Sequence, residues 1–150
     1  MKGLAAAFVL IVLAAGSQVH AGVGSKKTMY VAGSISSVPE ETEGESSTKD
    51  DKVFTFDYKG GRLTIPYDKV TSLVYGQTTG RRIMSPVVVF NKKRKHYLTI
   101  NFRDENGKEQ GAVFELGKDI IQTTLAALES RTGRKIEYIG AEARKSAKGN

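Results

Sequence analysis

The chain predicts a mainly β fold: a partly open, seven-stranded antiparallel barrel, or an orthogonal two-sheet sandwich, capped by one C-terminal α-helix. Three observations carry this. Short runs with a two-residue hydrophobic period recur, with turn signals about every eight to twelve residues. Only one stretch, near the C-terminus, shows the apolar spacing of a helix. The 150 residues include no cysteine, so the fold must hold by packing, without disulfides or thiolate metal sites.

At the N-terminus, Met1-Lys2-Gly3 supplies one positive charge, Leu4 to Gly16 is an unbroken run of apolar and small residues, and Val19-His20-Ala21 fits a small-residue cleavage site. This is the layout of a secretory signal peptide over residues 1–21, removed after Ala21. The alternative is an uncleaved anchor, but the apolar run is shorter than the roughly twenty residues that span a bilayer. No transmembrane segment is expected after cleavage, and the absence of cysteine closes the lipoprotein route. The expected location is extracytoplasmic, periplasmic or secreted. About 130 residues would remain, one domain by length, able to bury about two-thirds of its unfolded surface.

Residues 22–27 form a short Gly/Ser/Lys lead-in, and the domain is expected over residues 28–139. Thr28 to Ser37, with Met29, Val31 and Ile35, predicts the first strand. Pro39 to Asp51 carries six carboxylates against Lys49 and almost nothing to bury, which predicts an acidic mobile loop over residues 39–51. It lacks the carboxylate spacing and glycine turn of a calcium loop. Val53 to Tyr58 alternates, placing Phe54, Phe56 and Tyr58 on one face. Lys59-Gly60-Gly61-Arg62 turns into Leu63 to Tyr67, where Pro66 cannot donate to a ladder and so marks a sheet edge or a strand end. Thr71 to Gly76 places Leu73 and Tyr75 together, and Pro86 to Phe90 is an apolar run of strand length.

Leu98, Ile100 and Phe102 alternate with Thr99, Asn101 and Arg103. Asn106-Gly107 predicts a tight hairpin turn into a strand with Ala112, Phe114 and Leu116 on one face and Val113 and Glu115 on the other. Asp119 and Gln122 have the spacing of a capping box. Ile121, Leu125 and Leu128 make the apolar stripe of one helix of about fourteen residues, with Arg131 in its last turn and Gly133 just beyond. Lys135 to Ile139 predicts a short edge strand, and residues 140–150 a disordered tail.

This order of elements resembles the pleckstrin-homology-like superfold, with its GRAM-like and small bacterial members. The resemblance rests on Gly61-Arg62-Leu63-Thr64-Ile65-Pro66-Tyr67-Asp68-Lys69-Val70. It continues in Tyr97-Leu98-Thr99-Ile100-Asn101-Phe102, then through Phe114-Glu115-Leu116-Gly117-Lys118-Asp119 into the helix. It implies seven antiparallel strands in two nearly orthogonal sheets with a closing helix, and a fold used for lipid, peptide and protein binding. Lipid-binding members carry Lys and Arg around the loop between their first two strands. Here that loop is acidic, so the phosphoinositide site does not carry over.

The net charge is +7, which permits an anionic partner without naming one. Lys92, Lys93, Arg94, Lys95 and His96 form a candidate anion-binding patch, with Tyr97 available for stacking. The same run also serves as a solvated loop whose charges oppose edge-to-edge pairing. It and the acidic loop could attract each other. His96 is the only histidine after leader removal, too few for an ordinary metal site or a Ser-His-Asp argument. Asp57, Asp68 and Asp104 could supply paired carboxylates, and Arg81-Arg82 could clamp an anion; each also has an ordinary turn or junction explanation. No catalytic residue, metal or cofactor is expected. The expected function is an exported, noncatalytic binding or interaction module with a protein or peptide partner. The alternative is an anionic lipid surface or polymer held through residues 92–95, and the third reading is a hydrolase with an unrecognised site. Nucleic acid is not expected as a partner.

Overall fold

Alternation of apolar and polar residues drives Lys95 to Leu116 into a long hairpin: β6 (His96–Arg103) and β7 (Glu109–Leu116) pair antiparallel from His96↔Leu116 to Arg103↔Glu109. The computed structural model describes residues 23–24, 26–76 and 95–148. The stretch expected as a leader (residues 1–21), Arg81-Arg82 and the apolar run Pro86–Phe90 lie outside them. In the hairpin loop only Gly107 takes a positive φ, 75°. Its N–H donates to the Asp104 carbonyl, and the Asp104 N–H donates to the Lys108 carbonyl. The turn is thus a three-residue loop with glycine at its left-handed position, not a two-residue turn with Asn106 left-handed as well.

Before this hairpin come β1 (Thr28–Gly33), β2 (Thr42–Ser47), β3 (Val53–Tyr58), β4 (Gly61–Pro66), a 3-10 turn (Tyr67–Lys69) and β5 (Val70–Gly76). After it come α1 (Ile121–Thr132), β8 (Ile136–Ile139) and α2 (Ala141–Lys148). The described strands form one mixed sheet in the order β4-β3-β2-β1-β7-β6-β5-β8. The sheet is not closed. Neighbours are antiparallel except β5 and β8, which run parallel, so the expected wholly antiparallel, seven-stranded arrangement is corrected at this end.

The sheet nevertheless curls over itself. Phe114 on β7 has its ring centroid 5.4 Å from those of Phe54 and Phe56 on β3. Three strand steps separate β7 from β3, which in a flat sheet would hold them about 14 Å apart. The concave face gathers Phe54, Phe56, Ile65, Leu73, Tyr75, Leu98, Ile100, Phe114 and Leu116 into one core. Helix α1 covers it with Ile121, Leu125 and Leu128, all buried, as the apolar stripe predicts. Gly133 ends the helix in the left-handed region (φ 68°), its N–H donating to the Glu129 carbonyl. The helix start differs. The N-cap is Ile120, with no side-chain cap, and Asp119 is exposed, because the turn Gly117–Ile120, closed by the Ile120 N–H on the Gly117 carbonyl, delays the helix.

Two expectations are corrected outright. The stretch read as an acidic mobile loop contains β2, which pairs with β1 through Thr28↔Gly44 and with β3 through Gly44↔Tyr58. It needs no apolar side chains of its own. A Cβ at Gly44 would lie 2.8 Å from the Phe56 ring and 2.2 Å from the Asp57 carbonyl oxygen, so a neighbour's aromatic ring fills the space over a bare backbone. Its carboxylates stay in water, with Glu45 paired to Lys27. The tail read as disordered contains α2. Alanine-rich sequence favours helix, and Ala143 and Ala147, one turn apart, pack against the core.

Candidate functional site

Three surfaces or clusters collect polar chemistry. The first surrounds Glu115. Of the basic run, Lys92, Lys93 and Arg94 lie outside the described residues, and the two that are described turn to internal partners. Lys95 Nζ sits 3.4 Å from Glu115 Oε2, with only 5% of the glutamate side chain exposed. The Val23 backbone N–H donates to Glu115 Oε1 at 3.1 Å. His96 Nδ1 shares a 2.7 Å hydrogen bond with the Tyr75 hydroxyl, the two rings stacked at 6.2 Å. Tyr138 of β8 meets Tyr75 edge-on.

Burial dominates the proton affinities here. It lowers His96 below the usual histidine value, with the Glu115 charge opposing. It pushes Tyr75 and Tyr97 up to about 12, with Tyr138 adding to the first and Glu115 to the second. At neutral pH the phenol is therefore protonated and the imidazole neutral. Tyr75 O–H can donate to a bare Nδ1, and the pair carries no charge for an anion to meet.

The second is an open cleft of about 420 Å³ lined by Asp68, Lys69, Thr71, Arg103, Glu105 and Arg134, among others. It brings together two of the sequence's candidate carboxylates, Asp68 and Asp104. Asp104, however, is occupied: it accepts from the Asn106 and Lys108 amides and from Gln110 Nε2, each at 2.9 Å. Asp57 lies elsewhere, paired with Arg62 on the β3–β4 hairpin. The three carboxylates are not assembled for acid–base chemistry. Among the described residues no group of three or more His, Cys, Asp or Glu could hold a metal ion.

The third is the edge strand β4. Lys59-Gly60 is a two-residue loop, so Tyr58 and Gly61 form a hydrogen-bonded pair, and the register continues through Phe56↔Leu63 and Phe54↔Ile65. By alternation, the backbone groups of Arg62, Thr64 and Pro66 point away from β3. Pro66 offers only its carbonyl. Arg62 and Thr64 are exposed, and β4 ends the sheet. The opposite end is blunted. β8 is four residues long, and the Ile136 N–H is taken by Glu129 Oε1 at 3.0 Å.

Sequence reasoning missed the Glu115 cluster: it placed that side chain with Val113 on the face opposite Ala112, Phe114 and Leu116 and gave it no partner. The signal was present in Gly111-Ala112-Val113-Phe114-Glu115-Leu116-Gly117, where both faces are apolar or small and the acid stands alone. Among the described residues no helix is long and apolar enough to cross a membrane. No family model matches the chain, and a search of curated proteins finds no similar one.

Proposed function

We propose that the chain is an exported, noncatalytic binding module of pleckstrin-homology-like fold that captures an extended peptide along β4. The observation that carries the reading is the outer edge of β4, unpaired among the described residues, where Arg62 and Thr64 offer backbone donors and acceptors on an exposed strand. An added strand gains affinity from such main-chain bonds and selectivity from alternate side chains. The strand order β4-β3-β2-β1-β7-β6-β5, followed by a helix over the core, supports the fold assignment. The leader pattern of residues 1–21 supports export. The engagement of Asp57 by Arg62 and of Asp104 by its own loop favours binding over hydrolysis.

Thr64→Pro tests this. It removes one outward N–H but no bond to β3, so the chain should fold and lose binding to an array of immobilised extended peptides. Retained peptide binding by a folded Thr64→Pro chain refutes the edge reading. Replacing Lys92, Lys93 and Arg94 with Gln should leave peptide binding unchanged; loss of retention on anionic vesicles instead would favour the anionic-surface reading.

A further inference from the structure

We propose that the cleft at the end of β4 receives the free carboxyl end of the captured peptide, which runs parallel to β4 and finishes on a basic residue. The inference rests on the peptide-capture reading and deepens it by naming the partner's direction and its end.

The edge strand leads into the cleft. Only the 3-10 turn Tyr67–Lys69 separates Pro66, the last residue of β4, from Val70, the first of β5. Asp68, Lys69 and Val70 all line the open volume of about 420 Å³. Its other walls are the β6–β7 loop, with Arg103, Glu105 and Gly107, and Arg134 between α1 and β8. A strand laid outside β4 in the direction of the chain therefore arrives at this cleft.

Pro66 sets where such a strand stops. In a parallel ladder each outward residue donates to one partner residue and accepts from the one two places further on. The Thr64 carbonyl accepts from a peptide residue whose own carbonyl would next need a donor at position 66. Proline has no N–H. A peptide that continued would leave that carbonyl without a ladder bond. One that ends there presents a carboxylate instead, which cations can serve. An antiparallel strand that reaches Pro66 sets a peptide carbonyl against the missing N–H whatever its length. Lys69 lies three residues past Pro66 in a turn that rises about 2 Å per residue, a gap its own side chain spans. Arg134 lines the same cleft, and its guanidinium fork suits a carboxylate.

The lining carries both signs of charge. Asp104 is engaged by its own loop, accepting from the Asn106 and Lys108 amides and from Gln110. Arg103 Nε lies 3.2 Å from Glu109 Oε1. The other charged groups of the lining are Lys69 and Arg134, which match a carboxylate, and Asp68 and Glu105, which match a cation. A terminal lysine or arginine supplies both charges from one residue. A terminal acid would set a second negative charge against Asp68 and Glu105.

The test passes pools of randomised extended peptides over the immobilised full chain and reads the retained ones by mass spectrometry. The pools end in lysine, alanine or glutamate, each as free acid and as amide, with the amino end free or acetylated. Free acids ending in lysine should be retained best. Amidation should raise the dissociation constant of a retained peptide about tenfold, the effect of losing one charge-assisted contact, and acetylation should leave it unchanged. Lys69→Gln and Arg134→Gln, both at exposed positions, should weaken the free acid likewise and leave the amide unmoved. Asp68→Asn together with Glu105→Gln should erase the preference for lysine over alanine. Equal binding of acid and amide, or a loss on acetylation instead, overturns the carboxylate docking; if Thr64→Pro still abolishes capture, the edge reading stands. Free-acid binding that survives Thr64→Pro in a folded chain overturns both, as does a parent chain that retains none of the pools.

Discussion

Phe114 is where the curled sheet closes on itself, and its substitution measures how much that closure contributes. Its ring meets Tyr30 edge-on at 5.8 Å and 72°, and Phe54 and Phe56 each at 5.4 Å and 59°. Phe114→Leu keeps most of the apolar volume and removes three ring pairs. Each such pair contributes about 0.5–1.5 kcal/mol beyond area, but all three share one ring and do not add, so we expect a loss of about 2 kcal/mol. Phe114→Ala also leaves a cavity at a fully buried site and should cost about 4 kcal/mol. At about 3 °C per kcal/mol for a chain of this length, the melting temperature falls by about 6 °C and 12 °C respectively. Urea and thermal unfolding followed by far-ultraviolet circular dichroism read both values. A cost below about 1 kcal/mol for Phe114→Ala, with an unchanged denaturant slope, would refute the convergence of β1, β3 and β7 on this ring.

Gly44→Ala should lose about 1–3 kcal/mol, because the new methyl group meets the Phe56 ring and the Asp57 carbonyl; chemical denaturation checks it. Lys95→Met should cost about 3 kcal/mol by leaving the Glu115 carboxylate buried without its cation, and adding Glu115→Gln should recover part of the loss. Raising pH destabilises the fold from about pH 10, where unfolded tyrosines ionise, up to about 12, where folded Tyr75 and Tyr97 do; phenolate absorbance and stability should change together. On the acid side His96 binds its proton less readily folded than unfolded. Its contribution is therefore complete above pH 6.5 and declines as the pH falls below that, a decline that His96→Gln should remove.

Features written in side-chain periodicity were legible: the closing hairpin, the stripe of α1, the glycine stop at Gly133, the short strand before Gly140, and Pro66 at a sheet edge. Elements held by their neighbours were not. β2 buries little of its own, so hydrophobicity could not reveal it; Gly44 makes room for Phe56 instead. Asp119 has the right spacing for a cap, but the preceding turn withholds it. Of the candidate anion patch, the periodicity could not show that Lys95 and His96 find partners inside the fold, because those partners, Glu115 and Tyr75, come from strands distant in sequence.

The pairing of β1 with β7 joins the first described strand to one near the end of the chain. Such contacts close long loops and make folding slow. A ribosome would have to release the chain past Leu116 before Phe114 could meet Tyr30. Until then the aromatic side chains of β3 have no lasting cover, and the nascent chain stays threadable while being prone to aggregation.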